Sequence, residues 1–237
     1  MFFRPITLLA PTLLLSAATA FAAGFDDCPQ FFEGKPPVIE GFGQLRALCF
    51  EEFAVLHSGQ TKTPLYTAQR LNAKVLDKAK DLKRIDKFYE EARLPEAERA
   101  LLSDYRRSGL SRGHMASAAD MGTKFGKAQS YSLANMVPQD PTQNGKPWSQ
   151  IEQDTRRYIR RASGDVYVIT GPVFSSSKPR TIGAGKVRVP DAVFKMVYDP
   201  ATKQRWVHLQ DNKKTTKADK PISYEEFVQR TGIRLID

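Results

Sequence analysis

The chain has 237 residues, of which 41% are hydrophobic, and its formal net charge is +10 at neutral pH. This length supports one domain with a substantial core, and we expect a single domain over residues 23–237. The strong positive charge favours a polyanionic partner such as nucleic acid or an anionic surface. The chain has only two cysteines, which excludes a metal site built from cysteine ligands.

The first residues have the pattern of an export signal. A short basic start ending at Arg4 precedes an apolar run from Ile6 to Leu15, and residues 20–22 have the small-x-small pattern of a signal-peptidase site. We therefore predict a signal peptide over residues 1–22 and an exported protein, periplasmic or extracellular. The alternative is a membrane anchor, which needs about 20 apolar residues. Because the run is shorter than that, we expect no stable membrane insertion.

The two cysteines, Cys28 and Cys49, both lie near the start of the exported chain. In an oxidising compartment they allow one intramolecular pairing, so we predict a disulfide. The alternative, a catalytic thiol, is disfavoured because the spacing is too wide for a CxxC motif.

The N-terminal half alternates irregular segments with strands. Residues 25–43 are rich in glycine and proline and predict an irregular segment. Leu45–His57 predicts a buried strand that ends in a structural histidine, and Pro64–Leu71 predicts a second strand. Residues 72–87 mix lysine, arginine and aspartate, which favours a solvated, helical face over a nucleic-acid contact.

In the C-terminal half one helix and several strands are predicted. Apolar residues at helical spacing predict a helix over 147–162, with Pro147 in its first turn. A capping box at Ser223 predicts a final short helix that stops near Gly232. The remaining segments are a strand over 165–170 stopped by Gly171-Pro172, a loop over 175–185, and strands over 187–198 and 205–210, the latter with a structural His208. Strands outnumber helices and look hairpin-connected, so the predicted fold class is α+β, with a mainly antiparallel sheet flanked by helices.

The residues best suited to chemistry lie between Leu110 and Arg161. A neutral imidazole such as His114 is a suitable base at neutral pH, and Arg112 can donate two hydrogen bonds to a phosphate. Asn144 offers a hard amide oxygen to Mg²⁺, and Glu152 could hold the water molecules that Mg²⁺ retains.

Each of these signals is weak alone. A single histidine is more often structural, Asn144-Gly145 alone indicates a turn, and Glu152 with Arg156 four residues later is ordinarily an exposed helix pair. In combination they predict the hydrolysis of a phosphodiester with a divalent metal ion.

This combination resembles the DNA/RNA non-specific endonuclease family, the ββα-metal or His-Me finger nucleases. Three blocks carry the resemblance: Arg112-Gly113-His114; Asn135 with Pro138-Gln139; and Asn144 with Trp148, Ile151-Glu152 and Arg156. It continues through residues 166–172, 189–195 and 231–233, and so covers most of the exported chain.

The resemblance implies a ββα-metal site with defined roles. His114, on a strand, would be the general base, and Asn144, near a helix start, would be the single direct ligand of Mg²⁺, with Mn²⁺ as the alternative metal. Glu152 would hold metal-bound waters, Arg156 and Arg112 would stabilise the scissile phosphate, and Asn135 would orient the histidine or brace the site. The partners would be DNA and RNA, bound through phosphates. Whether the chain forms a homodimer stays open.

Three departures from the family pattern leave alternatives open. Ser111 stands where the family usually has aspartate, Ser117 replaces a proline, and Ala134 replaces a serine. A further upstream arginine used by some members has three candidates here: Arg70, Arg84 and Arg93. Two other functions remain, a nucleic-acid-binding module without turnover and an envelope protein that contacts anionic polymers.

Overall fold

The structure is a computed structural model that describes residues 24–236, so the predicted signal peptide lies outside the described residues. Ten strands lie in this range: β1 Leu45–Cys49, β2 Ala54–Ser58, β3 Thr63–Leu71, β4 Ser111–His114, β5 Met136–Gln139, β6 Val166–Val173, β7 Thr181–Ile182, β8 Val187–Arg188, β9 Ala192–Asp199 and β10 Gln204–Asp211. Six of them form one sheet in the order β1-β2-β3-β6-β9-β10, and all its neighbouring pairs are antiparallel.

The helices are short, and they lie mainly on or beside this sheet. They are α1 Ala73–Lys80, α2 Leu102–Tyr105, α3 Lys124–Gln129, α4 Pro141–Gln143, α5 Ser149–Ile159 and α6 Tyr224–Thr231, with a π-helical segment, Asn144–Trp148, between α4 and α5. Within residues 24–236, no helix is long and apolar enough to cross a membrane. The α+β class with a mainly antiparallel sheet is confirmed.

The sheet separates two layers because its side chains alternate between its faces. One face, which we call the scaffold face, packs an aromatic core from β2, β3, β9 and α6 that includes Tyr66, Phe194 and Phe227. The opposite face, which we call the site face, is covered by β4, β5 and α5. There Met115, Val137, Trp148, Ile151 and Val193 form one cluster. The functional layer is therefore supported by a hydrophobic contact between α5 and the sheet.

The predicted strand Leu45–His57 is wrong in its extent, because the chain turns back within it. The backbone N–H of Phe50 donates to the carbonyl of Phe53 over 2.9 Å, which closes a tight turn between β1 and β2. Phe50 and Phe53 stack with their ring centroids 4.3 Å apart, so both apolar residues are buried in the turn itself. The apolar run that predicted one strand therefore forms a hairpin of two strands, β1 and β2.

The strand predicted over 165–170 is also wrong in its extent. The corresponding strand β6 does not stop at Thr170 but continues through Gly171 and Pro172 to Val173. β3 pairs with β6 only as far as Thr170, so the missing N–H of Pro172 falls beyond that pairing. A side chain at Gly171 would clash with the backbone carbonyl oxygen of Leu65, so the close approach of β3 requires glycine here.

Three further boundaries differ from the predictions. The loop over 175–185 contains β7, which pairs with β8, and the strand over 187–198 is divided into β8 and β9. The helix predicted over 147–162 begins earlier, at Pro141, and ends at Ile159. Asp140 caps its first turn by accepting from the backbone N–H groups of Thr142 and Gln143. Pro147 lies within the π-helical segment, as expected where a helical N–H is missing.

The other elements match their predictions closely. β3, β10 and α6 lie where the sequence indicated, and Ser223 caps α6 by accepting from the N–H of Glu226 over 3.0 Å. Gly232 ends α6 with φ of +73°, the left-handed conformation that favours glycine. Cys28 and Cys49 form the predicted disulfide, which ties the irregular N-terminal segment to the end of β1.

Candidate active site

A two-stranded antiparallel sheet and the helix that follows it build one cleft on the site face. β4 and β5 pair antiparallel, with His114 opposite Met136, and α4, the π-helical segment and α5 follow directly. The cleft has a volume of about 780 Å³, and His114, Asn144, Glu152 and Arg156 all line it. The structure thus brings together four of the six residues predicted for the site.

His114 is held in an aromatic surrounding that keeps its imidazole neutral. Its ring lies 5.1 Å from the Tyr131 ring and 5.6 Å from the Phe88 ring, measured between centroids. Its Nε2 atom is buried without a hydrogen-bond partner. Burial lowers the pKa of His114 to about 3, and the positive charges of Arg84 and Arg112 contribute to that decrease. A neutral imidazole can accept a proton at physiological pH.

Asn144, at the start of the π-helical segment, and Glu152, in the first turn of α5, both line the cleft. The Asn144 side chain makes no hydrogen bond to another described residue, and Glu152 has no ion-pair partner within residues 24–236. Burial raises the pKa of Glu152 to about 7, while the nearby cations Lys195 and Arg156 oppose this rise. Both side chains therefore present oxygen atoms that could bind a cation or its water molecules.

The donor set fits a hard cation that keeps most of its water. Within the described residues, no group of three or more His, Cys, Asp or Glu side chains could enclose a metal ion. A site with one amide oxygen and one carboxylate suits Mg²⁺, which binds through few protein ligands and retains water. Structural Zn²⁺, by contrast, takes four protein ligands.

Arg156 is oriented by a carboxylate that the sequence did not indicate. Its Nη1 atom lies 2.9 Å from Oδ1 of Asp120, and both side chains are largely buried, with 14% and 6% of their surfaces exposed. The two residues are 36 positions apart. This ion pair positions the guanidinium along the cleft wall, where α5 alone would leave a flexible side chain.

Of the three candidates for an upstream arginine, only Arg84 lines the cleft. Arg70 lies 3.8 Å from Asp165, and Arg93 binds Glu91 and the carbonyl of Cys49. Arg84 projects from the segment after α1, where its Nε lies 2.5 Å from Asp86.

Lys127 holds the start of this segment. Its Nζ atom donates to the carbonyl of Leu82 over 2.8 Å, at the C-terminal end of α1. It is buried and lines the cleft, so it adds positive charge to the wall that carries Arg84.

Asn135 and Gly113 brace His114 from behind. The Asn135 amide exchanges hydrogen bonds of 2.8 and 2.9 Å with the backbone of Ala116 and donates to the carbonyl of Ser130. Asn135 is fully buried, and its side-chain hydrogen bonds go to the backbone rather than to the imidazole, so it fixes the chain after β4. A side chain at Gly113 would clash with the Gln139 side chain, including its Cβ atom, so β4 favours glycine there.

Arg112, unlike Arg156, does not line the cleft. Its guanidinium lies 4.1 Å from the centroid of the Phe88 ring, and it lines an adjoining pocket. Ser111 lies at the boundary and contributes to both the cleft and that pocket. His57 and His208 lie on β2 and β10, outside the cleft.

Comparison with known sequences places the chain among nucleases. A family model described as DNA/RNA non-specific endonuclease matches residues 35–233. Human endonuclease G, a mitochondrial protein, is 30% identical over 169 residues, which is 67% of this chain and 56% of that protein. Nuclease C1 of Cunninghamella echinulata var. echinulata is 30% identical over 169 residues, or 67% of each chain. A nuclease of a Nostoc species is 32% identical over 148 residues, covering 62% of this chain and 52% of its own.

A solved structure shares the fold. A chain in the crystal structure of the EndoG/EndoGI complex superposes with a TM-score of 0.74 at 23% sequence identity, covering 81% of this chain and 86% of that chain. The chain described here spans only about half the length of several relatives that it matches, including 56% of the human protein.

Proposed function

This chain belongs to the DNA/RNA non-specific endonuclease family, and we propose that it is an exported, Mg²⁺-dependent endonuclease that hydrolyses DNA and RNA. The convergence of His114, Asn144, Glu152 and Arg156 on one cleft carries the proposal. The proposed export rests on the N-terminal signal pattern, and Mn²⁺ is the natural alternative metal because it prefers similar oxygen ligands.

In this proposal His114 is the general base. The water oxygen forms a bond to phosphorus while one phosphorus–oxygen ester bond breaks, and the neutral imidazole takes the proton that the water loses. Burial supports this role, because it lowers the pKa of His114 and keeps the base unprotonated at neutral pH.

The cations of the cleft stabilise the negative charge of the transition state. Arg156 is aligned by Asp120, and Arg84 lies near His114, so two guanidinium groups can donate to the oxygens of the phosphate. Asn144 would bind the metal directly, and Glu152 would accept hydrogen bonds from its waters. When bound, Mg²⁺ supplies positive charge to the phosphate and the leaving oxygen.

Contacts to phosphate rather than to base edges explain why DNA and RNA are both expected as substrates. The cleft is lined by Arg84, Arg156 and Arg160 together with lysines on α1 and α3, all of which suit a polyanion.

Cleavage assays test this proposal. Wild type should degrade supercoiled plasmid and RNA in Mg²⁺ but not in chelator, and His114→Ala should lose roughly 10²- to 10⁴-fold in rate, as expected for a general base. His208→Gln is the matched control, since His208 lies on β10 away from the cleft. If wild type and His114→Ala retard plasmid on a gel and neither cuts it, a binding module without turnover explains the chain better.

A further inference from the structure

One lysine is buried in the sheet beneath α5. Lys195 lies on β9 and is only 1% exposed. Within residues 24–236, its Nζ atom has one hydrogen-bond partner, the hydroxyl of Thr170 at 2.8 Å. The lysines of this range that form ion pairs, Lys80 and Lys213, both lie on the surface. Burying an ammonium group is costly unless an opposite charge compensates it, so Lys195 requires a nearby anion.

Lys195 faces the middle of α5. Val193 and Val197, two positions before and after it on β9, point to the same side of the sheet because strand residues alternate. Val193 packs in one cluster with Ile151, in the first turn of α5, and Val197 packs in another with Ile159, at the end of α5. The Lys195 side chain therefore lies under the part of α5 between these two contacts.

Glu152 is the carboxylate that α5 brings to this position. The Nζ atom of Lys195 lies 5.6 Å from the centroid of the Trp148 ring. Trp148 precedes Glu152 by four residues, so the two side chains are neighbours along the helix. Burial raises the pKa of Glu152 to about 7, and the charge of Lys195 is the largest contribution that opposes this rise. The ammonium group thus favours the charged form of Glu152, which burial disfavours.

The other ionisable groups near Lys195 are either paired or neutral. Asp120 also acts on Lys195, but its carboxylate accepts from Arg156 over 2.9 Å. His208 lies directly opposite Lys195 on β10, and burial lowers the pKa of His208 to about 4, so this imidazole is neutral at neutral pH. Arg156 acts on Glu152 as well, yet its guanidinium is bound by Asp120. Lys195 is therefore the cation beside Glu152 that has no carboxylate of its own within the described part of the chain.

We propose that Lys195 is a positioning residue, whose buried ammonium group holds the Glu152 carboxylate ready to accept hydrogen bonds from the water molecules of a metal ion in the cleft. This inference rests on the proposed function. An ionised carboxylate only accepts hydrogen bonds, whereas a protonated one presents a donor where metal-bound water needs an acceptor. Lys195 does not line the cleft, so it acts through Glu152 rather than on the substrate.

Metal binding without nucleic acid tests this role. The probe is Mn²⁺, whose free concentration is followed by electron paramagnetic resonance as protein is added. Lys195→Met keeps the length of the side chain and removes its charge, so the dissociation constant of Mn²⁺ should rise about 10-fold, as for other residues that orient a metal-binding group. Lys195→Gln can still donate to Thr170 but is also uncharged, and it should show the same loss. Wild-type affinity in either variant, once circular dichroism shows that it is folded, would overturn the role.

A packing control separates charge from structural damage. Val197→Ala changes a buried residue on the same strand and the same face without changing any charge. It should lower the resistance to urea but leave the Mn²⁺ dissociation constant of the folded protein unchanged. If Val197→Ala weakens Mn²⁺ binding as much as Lys195→Met, the effect comes from disturbed packing under α5 and the positioning role is wrong.

A double-mutant cycle on cleavage shows whether Lys195 acts through Glu152. The rates of wild type, Lys195→Met, Glu152→Gln and the double variant are compared at saturating Mg²⁺. Lys195→Met should slow wild type about 10-fold. It should have no further effect in the Glu152→Gln background, because the charge that it supports is already absent. Equal losses in the two backgrounds would show that Lys195 acts independently of Glu152.

These outcomes separate the positioning role from the proposed function. A wild type that binds Mn²⁺ more tightly than Lys195→Met but cuts no nucleic acid contradicts the proposed function and supports the role of Lys195 at the metal site. A wild type that cuts, with the same rate and metal affinity in Lys195→Met, contradicts the positioning role alone. If wild type neither binds Mn²⁺ nor cuts, both are wrong. If it cuts but binds Mn²⁺ too weakly to measure, the cycle decides.

Discussion

The two faces of the sheet differ in the types of side chain that they bury. The scaffold face buries a continuous aromatic core, with Phe194 and Phe227 rings 5.0 Å apart and the Cys28–Cys49 disulfide at its edge. The site face also has a hydrophobic cluster, but it buries charged groups beside it, among them Asp120, Lys127 and Lys195.

The difference shows how stability and function are divided in this fold. Burying apolar side chains is favourable without a partner, whereas burying a charge is costly unless it is paired or hydrogen-bonded. On the site face, charged groups are buried at the positions that hold reactive side chains, and this burial lowers the stability of the fold. The apolar burial on the scaffold face offsets that loss of stability. Variants on the two faces should therefore separate unfolding from loss of activity.

The largest effect on stability is expected on the scaffold face. Phe227 is fully buried against Phe194, so Phe227→Ala should reduce the free energy of unfolding by about 3–5 kcal/mol, measured by urea denaturation. Nuclease activity per folded molecule should be retained at low temperature. Phe125→Ala is the control, since its ring is 64% exposed and its loss should cost little. Similar losses for both variants would show that the aromatic core does not carry the fold.

Loss of the disulfide should have a slightly smaller effect. Cys28 and Cys49 are separated by 21 positions, and cross-links closing loops of this size contribute about 3 kcal/mol by restricting the unfolded chain. The double variant Cys28→Ser/Cys49→Ser should therefore unfold at lower urea than oxidised wild type. Wild type treated with a reductant should match the variant. An unchanged midpoint in both would contradict a structural role for the bond.

Acid should destabilise the fold through a buried histidine outside the cleft. Both ring nitrogens of His57 lack a partner, and burial lowers its pKa to about 4 from an ordinary value of 6.5. Between pH 6.5 and 4, the His57 imidazole is protonated in the unfolded state but stays neutral in the folded state. Stability from this group is therefore complete above pH 6.5 and decreases by up to about 3 kcal/mol as the pH falls toward 4.

Urea titrations at a series of pH values measure this dependence. His57→Gln cannot titrate, so its stability should fall less steeply between pH 6.5 and 4 than that of wild type. Parallel curves for the two proteins would show that carboxylates and the other histidines account for all of the acid sensitivity.

A smaller effect, on activity rather than folding, is expected from the partner of Arg156. Asp120→Asn keeps the size of the side chain but removes the charge 2.9 Å from the guanidinium, so the rate should fall roughly 10- to 100-fold, as for other residues that orient a functional group. The turnover number should fall more than the Michaelis constant rises, and Asp120→Glu should recover part of the rate. Asp154→Asn, on the exposed surface of α5, is the control and should keep full activity. Equal rates for wild type and Asp120→Asn would exclude a positioning role.

Local patterns were enough to predict much of this protein. Strand-like segments bounded by turn signals located β3 and β10, and a capping box located α6. The presence of two cysteines in an exported chain predicted the disulfide. His114, Asn144, Glu152 and Arg156 were identified from one segment, because residues close in sequence on a strand and the following helix are also close in space. The nuclease family followed from the same segment, whereas the α+β class followed from the number and connection of the strands predicted along the whole chain.

Other features depend on contacts between distant segments. Asp120 pairs with Arg156 from 36 residues away, and no local pattern marks that partner. Which upstream arginine reaches the cleft was also undecided, because Arg70, Arg84 and Arg93 look equivalent until folding directs Arg84 toward His114. The strand boundaries at Phe50 and Pro172 depend on which neighbouring strand is present.

The sequence by itself thus determined the chemical groups, their order and the class of fold, since these rest on residue type and local spacing. The tertiary structure alone decided the environment of each group: the burial that keeps His114 neutral, the carboxylate that aligns Arg156, and the separation of Arg112 from the cleft. Burial and pairing are properties of the packed chain, because they depend on which distant surfaces meet.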